Sequence, residues 1–423
     1  MGFADFYFER QKNFQLKIQG KIQSDLKFIV VIPCFNEFKL LETLGSIKNA
    51  EKINSSIEVI IVINSSEVSQ QEVIDQNIKT YNNAKSWIAM HEDSSLRFFL
   101  LNEENLPRKF AGAGLARKIG MDQAIARFNQ LNIENGVIVS VDADSRLESN
   151  YFIELEKHFK NYPKTNAITT YFEHPVNGSE FDNDIYSAIT KYELYLRYYK
   201  LALNSTGFPY SFYTVGSCFA VNVKAYVKQG GMNRKQAGED FYFLHKIFPL
   251  GNCYEINTTC VYPSSRISER VPFGTGPMVK AIIESGEKDF LTYNYSSFLD
   301  LKLLFSVVHK LFRVKPQTLE KIILELPISI SEFLKANGIE TALEEINKNS
   351  SNIKSFTKRF YNWFDAFRVL KYMNFAHEKY FEKQDLLDEA ERLFANISNG
   401  KKVIKDYQSL LKEYRNIEKR DPK

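Results

Sequence analysis

Short, unbroken apolar runs alternate with amphipathic stretches over the first 280 residues. FIVVIP (28–33), EVIIVI (58–63) and GVIVSV (136–141) are rich in β-branched residues and read as strands buried on both faces. Leu96–Leu101 and Ala167–Tyr171 are further strand candidates. Between them the period changes. Residues 38–52 repeat Leu40, Leu41, Leu44 and Ile47 at helical spacing, and 70–83 and 151–159 also read as helices. Residues 111–128 do so through Leu115, Ile119, Ala124 and Ile125. This alternation predicts an α/β fold with a mostly parallel sheet covered by helices on both faces. Ligands of such sheets bind at the carboxyl ends of the strands. Three polar clusters fall there: Asn36-Glu37, Asn64-Ser65-Ser66, and Asp142 with Asp144.

Further along, 181–202 reads as a Tyr-rich amphipathic helix, 216–221 as a strand, and 223–228 and 241–247 as helices. A strand is expected over 252–261, and PSSRISERVPFGTGP (263–277) reads as a loop. Residues 1–27 are a polar, aromatic lead-in with no assignable element. Beyond Met278 helical periodicity takes over, in blocks at 298–313, 317–336, 338–347, 352–373 and 384–417. Pro316, Pro327, Asn337-Gly338 and Asn399-Gly400 punctuate them. The expected division is an α/β domain over 1–280 and an all-helical domain or extension over 281–423.

Composition narrows the choice of class. Hydrophobic residues make up 44% and aromatics 14%, with 34 Phe and 23 Tyr, which excludes a disordered or low-complexity chain. The 55 Lys+Arg against 51 Asp+Glu leave a net +4, too balanced for a nucleic-acid binder. Cys34, Cys218, Cys253 and Cys260 have no CxxC spacing, which argues against zinc or iron–sulfur ligation and for a reducing compartment. No apolar stretch reaches the ~20 residues of a spanning helix, and MGFADFYFERQKNF has no continuous apolar core of a signal peptide. A cytoplasmic protein is expected, with peripheral contact to the inner face of a membrane as an open alternative. The block SFTKRFYNWFDAFRVLKYM (355–373) is the candidate for that contact; a packed amphipathic helix is the other reading.

Asp142-Ala143-Asp144 places two carboxylates directly after a buried strand. Oxygen ligands at that spacing suit Mg²⁺ or Mn²⁺ when phosphates complete the shell. The same residues also suit a helix cap before Asn150. Glu239-Asp240 follows Gly238 and opens a helix. It fits N-terminal charge compensation, or a rigid general base facing a cleft. Arg266 and Arg270 flank a glycine turn, Phe273-Gly274-Thr275-Gly276, and suit phosphate oxygens. Lys109, Arg117 and Lys118 add positive charge around a helix start that carries Gly112 and Gly114. Those glycines point either to a close approach there or to tight helix packing. His174 in FEHP has either a cleft-facing or a structural role. Tyr192, Tyr195, Tyr198 and Tyr199 form either a stacking platform or a core stripe. GxGxxG after the first strand, GxxxxGK[ST], HExxH and GxSxG are absent.

With those residues placed, 28–280 resembles a family 2 glycosyltransferase of the GT-A fold. FIVVIPCFNE, EVIIVINSS, AGAGLARKIGMDQA, VSVDADS and GEDFYFLHK carry the resemblance, in that order. It implies a nucleotide-sugar donor, UDP-, GDP- or dTDP-linked, and a hexosyl transfer. The acceptor it implies is a sugar, a small molecule or a lipid-linked species, in cell-envelope polysaccharide synthesis. It implies Mn²⁺ or Mg²⁺ on Asp142 and Asp144, with Asp144 as the direct ligand. It implies nucleotide contacts from Pro33, Phe35, Asn36 and Glu37, and makes Asn64 and Arg117 candidates for the base or diphosphate; with Asp142 and the basic residues Lys109, Arg266 and Arg270 they form the expected donor-binding set. Asp240, beside Glu239, takes the place of the general base of an inverting transfer. The chain departs from the family pattern in two places. Asn64-Ser65-Ser66 stands where an Asp is usual, and RISERVPFGTG stands in place of QxxRW, which argues against a processive polymerase. A retaining enzyme of the glucosyl- or mannosyl-glycerate type, a nucleotidyltransferase and a non-catalytic carbohydrate- or nucleotide-binding scaffold remain as alternatives. The glycine- and arginine-rich loop that the nucleotidyltransferase needs after the first strand is missing from PCFNEFKL. The helical extension has three open roles: covering the acceptor site, meeting a second copy of the chain, or lying on a membrane surface.

Overall fold

The computed structural model describes residues 2–268, 270, 274–286, 290–398 and 404–420. They form two compact units. The first holds the described residues of Met1–Ile189, Tyr213–Ile283 and Glu418–Lys423; the second holds those of Thr190–Phe212 and Glu284–Ile417.

The first unit contains β1 (Leu26–Cys34), β2 (Ser56–Ser66), β3 (Leu96–Leu106), β4 (Val137–Ser140), β5 (Arg146–Leu147), β6 (Ala167–Phe172), β7 (Phe219–Asn222) and β8 (Cys253–Tyr262). They form one eight-stranded sheet in the order β3-β2-β1-β4-β7-β6-β8-β5. β3–β2, β2–β1, β1–β4 and β6–β8 are parallel; β4–β7, β7–β6 and β8–β5 are antiparallel. The helices are α1 (Asp5–Arg10), α2 (Leu40–Lys48), α3 (Gln71–His91), α4 (Ala113–Gln130), α5 (Tyr151–Asn161), α6 (Asn183–Ser205), α7 (Val223–Lys228), α8 (Glu239–Ile247) and α9 (Thr275–Ser285). α6 begins in the first unit and runs into the second.

The apolar runs explain the centre of the sheet. Phe28–Ile32 and Val59–Ile63 are fully buried, as strands covered on both faces must be. α4 lies on β1 and β2 at Gly120, where an added Cβ would sit 2.5 Å from Val31 Cγ1 and 3.1 Å from Val62 Cγ2. The Phe28 ring packs 6.2 Å from Phe152 and 6.4 Å from Phe159 of α5. Glu58, the polar member of EVIIVI, is buried in a two-pronged pair with Arg127 of α4, whose guanidinium lies 4.6 Å from the Phe99 ring. The lead-in is tied down by a polar knot. Tyr7 donates to Asp122 at 2.6 Å, Tyr226 at 2.8 Å, and Lys118 pairs with the same carboxylate at 2.8 Å.

The second unit holds a two-stranded antiparallel ribbon, β9 (Leu291–Thr292) with β10 (Gln384–Asp385), and a helical array. Its helices are α10 (Tyr295–Val307), α11 (Pro316–Glu325), α12 (Ile328–Ala336), α13 (Ile339–Lys348), α14 (Ile353–Trp363), α15 (Ala366–Lys379), α16 (Leu386–Ile397) and α17 (Tyr407–Arg420). The helical region is therefore as the periodicity predicts. Pro327 splits 317–336 into α11 and α12, because a proline cannot continue the ladder. Phe364-Asp365 splits 352–373, and the Asp365 side chain caps α15. Asn399-Gly400 lies outside the described residues. Phe356, Phe360, Tyr361, Tyr372 and Met373 of the aromatic block are buried, as in a packed amphipathic helix pair. Among the described residues, no helix is long and apolar enough to cross a membrane.

Candidate functional site

The parallel strands β1, β2 and β4 deliver their carboxyl ends to one edge of the sheet. β1 stops at Cys34, and Asn36 turns the chain with φ +48°, a left-handed conformation that Asn tolerates better than most residues. The turn buries Glu37 completely. Glu37 is not offered to solvent. Its Oε1 accepts from the Lys39 backbone N–H at 2.8 Å and from Arg266 Nη1 at 3.1 Å; its Oε2 accepts from Arg270 Nη1 at 2.8 Å and from Arg266 Nη2. The same two guanidinium groups donate to Asp144 Oδ2, Arg266 Nη2 at 2.7 Å and Arg270 Nη2 at 3.1 Å. Arg270 Nη1 also donates to the Phe35 carbonyl at 2.9 Å. Two arginines far along the chain thus bridge the end of β1 and the turn after β4.

The second half of the cluster is built on α4 and α8. Arg117, 2% exposed, donates through Nη2 to Asp142 Oδ1 at 2.6 Å and through Nη1 to Glu239 Oε1. It joins the acid after β4 to the acid that opens α8. Glu239 is buried and committed to that pair. Asp240 follows it in the first turn of α8, and its Oδ1 accepts the Phe241 N–H at 2.7 Å. No other residue among the described ones donates a hydrogen bond to its Oδ2. Gly238, φ +66°, makes the turn into the helix. Gly216 completes the fit: a Cβ there would meet Arg117 Nη2 at 2.7 Å and Asp240 Oδ2 at 3.3 Å. The close approach at the start of α4 comes from the chain itself. An added Cβ at Gly114 would meet the Lys235 carbonyl, and Glu239 Cβ at 2.9 Å.

Burial pushes the Asp144 carboxyl up to about 7, reinforced by Asp142 and Glu37 against the pull of Arg266. Burial likewise raises Asp240 to about 6, with Asp142 adding to the rise and Arg117 and the helix N–H opposing it. Five carboxyl groups (Glu37, Asp142, Asp144, Glu239, Asp240) face three guanidinium groups (Arg117, Arg266, Arg270), a formal excess of two negative charges. Asp142 is the most open of these acids that pair with arginine, its side chain 38% exposed. No other residue among the described ones donates to Asp142 Oδ2 or Asp144 Oδ1; the arginines use the opposite oxygens. Two oxygen donors and two surplus charges fit a hard divalent cation. No group of three His, Cys, Asp or Glu side chains suited to a metal occurs among the described residues.

Asn64 is buried at the end of β2; its carbonyl accepts from Asn77, and its Oδ1 has no partner among the described residues. Pro33 is buried in β1, with Phe35 and Asn36 half-buried after it. Lys109 is exposed, its ammonium over the Phe110 ring. Lys118 is spent on Asp122, away from any phosphate role. His174 is buried beside the Phe172 ring. Tyr192 and Tyr198 are core residues of the second unit. Phe273 lies outside the described residues, and α9 begins at Thr275, so the expected loop ends earlier than its Gly and Pro content suggested. Asp144-Ser145 leads into the short strand β5; the segment is not a helix cap. The sequence reading missed Gly216, Asn77 and Thr80, which carry no motif of their own.

Residues 29–229 match the family model described as "Glycosyl transferase family 2". Comparison with curated proteins returns no match. The fold is similar to that of S. aureus TarS 1–349 in complex with UDP-GlcNAc, at TM-score 0.40 and 13% identity over 80% of this chain and 92% of that one. It is also similar to GalNAc-T7 with UDP, GalNAc and Mn²⁺, at TM-score 0.35 and 13% identity over 75% of this chain and 57% of that one.

Proposed function

Because the chain carries a glycosyl transferase family 2 domain over residues 29–229, and is thus a glycosyltransferase, we propose that it moves a sugar from a nucleotide-sugar donor to an acceptor hydroxyl with inversion, using Asp240 as the base. The observation that carries this reading is the split between the two acids that open α8. Glu239 is consumed by Arg117, whereas Asp240 makes no ion pair among the described residues and is held through Oδ1 by the Phe241 N–H. One acid holds the frame and its neighbour is left to do chemistry.

Asp142 and Asp144 would hold Mg²⁺ or Mn²⁺. When bound, the cation supplies charge neutralisation at the donor diphosphate. Arg266 and Arg270 supply guanidinium N–H groups suited to phosphate oxygens, the fork-like contact that a lysine does not make. Asn64 and the turn at Phe35-Asn36 border the nucleoside end. Asp240 takes the proton of the acceptor hydroxyl as that oxygen bonds to the anomeric carbon. The bond from that carbon to the diphosphate oxygen breaks on the opposite face, and the configuration inverts. Position matters more than basicity here, since a correctly held acceptor replaces a bimolecular encounter.

The test is a donor-hydrolysis screen. The full chain is incubated with Mn²⁺ or Mg²⁺ and each common UDP-, GDP- and dTDP-sugar, and free nucleoside diphosphate is measured. Release from one donor, lost in Asp144→Ala and on chelation, supports the reading. Silence across the panel, together with no binding of any nucleoside diphosphate, overturns it in favour of a non-catalytic scaffold. Asp240→Asn is expected to retain donor binding in calorimetry while transfer is nearly abolished. Product anomeric configuration by NMR separates inversion from retention.

A further inference from the structure

We infer that Asn77 of α3 is a positioning residue that sets the nucleoside end of the donor site against its diphosphate end. The inference rests on the donor reading above. It starts from a gap in the sheet. β1 and β2 pair in register only as far as Cys34 opposite Ile63. Beyond that pair the two chains that border the donor, Phe35–Glu37 and Asn64–Ser66, have no ladder between them.

Asn77 fills the gap. The residue is 6% exposed, and both ends of its amide are used. Nδ2 donates to the Asn64 carbonyl at 2.9 Å, and Oδ1 accepts from the Asn36 N–H at 2.9 Å. The reverse amide orientation would set N–H against N–H and oxygen against oxygen, so one orientation alone satisfies both strands. One side chain therefore stands in for the missing backbone bonds at the point where the ladder stops.

The same face of α3 serves the other end of the site. Thr80, three residues on and on the same face, donates its hydroxyl to the Glu37 carbonyl at 2.6 Å. Glu37 in turn holds Arg266 and Arg270. Thr80 thus supports the diphosphate end, and Asn77 ties that turn to Asn64. Asn36 is held at positive φ in this arrangement, so its N–H needs a fixed partner for the turn to keep its shape. Neither α3 residue belongs to the motifs that mark the family resemblance. Neither is assigned contact with a ligand; each acts through the backbone it holds.

The experiment is calorimetric titration of the full chain in Mn²⁺ with UDP, GDP and dTDP, and with inorganic pyrophosphate. Pyrophosphate reads the arginine end alone; the nucleoside diphosphates read both ends. Asn77→Ala is expected to weaken the preferred nucleoside diphosphate about tenfold, about 1.4 kcal/mol, and pyrophosphate by less than about threefold. Thr80→Val is expected to weaken both ligands by a similar factor. A folded Asn77→Ala that weakens both ligands by the same factor, or that leaves nucleotide affinity unchanged, overturns the inference. Asn77→Asp keeps the acceptor for Asn36 N–H but turns a carboxylate toward the Asn64 carbonyl. It carries the same comparison if the alanine variant does not fold. If the wild-type chain binds pyrophosphate but no nucleoside diphosphate, the donor reading itself fails and the inference falls with it.

Discussion

Asp240, proposed above as the base, would set the demands of catalysis against those of stability within one side chain. Its carboxyl titrates near 6 in the folded chain against an ordinary 3.8, chiefly because it is buried. A carboxyl with a raised folded-state pKa burdens the native state only when ionised. Below pH 4 both folded and unfolded chains hold the proton and nothing is lost. As pH rises from 4 through 6 the unfolded chain ionises more readily, and stability falls. Asp240→Asn removes that burden along with the proposed base. It is expected to be more stable than wild type at pH 8 by on the order of 1–3 kcal/mol, seen as a higher unfolding temperature, with the gain shrinking toward zero at pH 4. A lower midpoint at pH 8 would refute a raised folded-state pKa at Asp240. His245 on the same helix has the opposite sign. It packs 4.4 Å from the Phe241 ring, and burial lowers its pKa from 6.5 to about 3. Its neutral form therefore contributes stability that is complete above pH 6.5 and is lost as pH falls toward 3. His245→Phe should flatten that acid-side loss in thermal scans between pH 7 and 4, and an unchanged slope would discount it.

At the scale of elements, the site depends on how closely α4 can approach. Gly120 is where α4 touches β1 and β2, and a methyl group there meets Val31 and Val62. Gly120→Ala should push α4, and Arg117 with it, off the sheet. The expected cost is about 1–3 kcal/mol in denaturant unfolding, the usual range for overpacking. Gly45 in α2 has no neighbour within 4 Å of an added Cβ, so Gly45→Ala should stabilise by up to about 1 kcal/mol through helix propensity alone. If the two variants behave alike, the packing argument for α4 is wrong. The contrast also shows which features a sequence discloses. β1, β2 and β4 could be read directly, because strands buried on both faces need unbroken apolar runs. Asp142, Asp144, Glu239 and Asp240 could be found because they follow such runs or open a helix. Arg117 was visible as a charge, but its partners were not; nothing local indicates that Glu239 lies 122 positions along the chain yet within ion-pair reach. Asn77 and Thr80 were hidden for a related reason. A polar residue on a helix looks like a solvated one until the strand end it supports is known. The lead-in fared likewise, since Tyr7 is held by Asp122 and Tyr226 and not by any periodic pattern of its own.

For the whole molecule, the chain does not divide at a single point. The helical unit takes Thr190–Phe212 from within the α/β half of the sequence, and the α/β unit takes Glu418–Arg420 from the far end. Both exchanges have a packing basis inside their own unit. Tyr198 and Phe208 are buried; Tyr198 packs 5.9 Å from Phe298, and Phe208 packs 5.6 Å from Phe305 and 5.9 Å from Tyr361. Glu193, with no exposed area, pairs with Arg197 at 2.7 Å and with Arg415 of α17 at 2.7 Å. In the first unit, Tyr213 donates to Glu418 at 2.7 Å and Lys419 pairs with Glu173 at 2.7 Å. Cutting the chain after Ile283 therefore removes more than an appendage. It uncovers the aromatic face of Thr190–Phe212, takes Arg415 away from a buried carboxylate, and deletes the residues that close over Tyr213. Exposed apolar surface of that kind drives association, and a buried charge stripped of a partner costs several kcal/mol. The 1–283 chain should elute as aggregate in size-exclusion chromatography, or melt without a cooperative transition, while the full chain melts cooperatively. A monomeric, cooperatively melting 1–283 chain would show instead that the α/β half is self-sufficient, and that the helical unit is retained for a role outside folding.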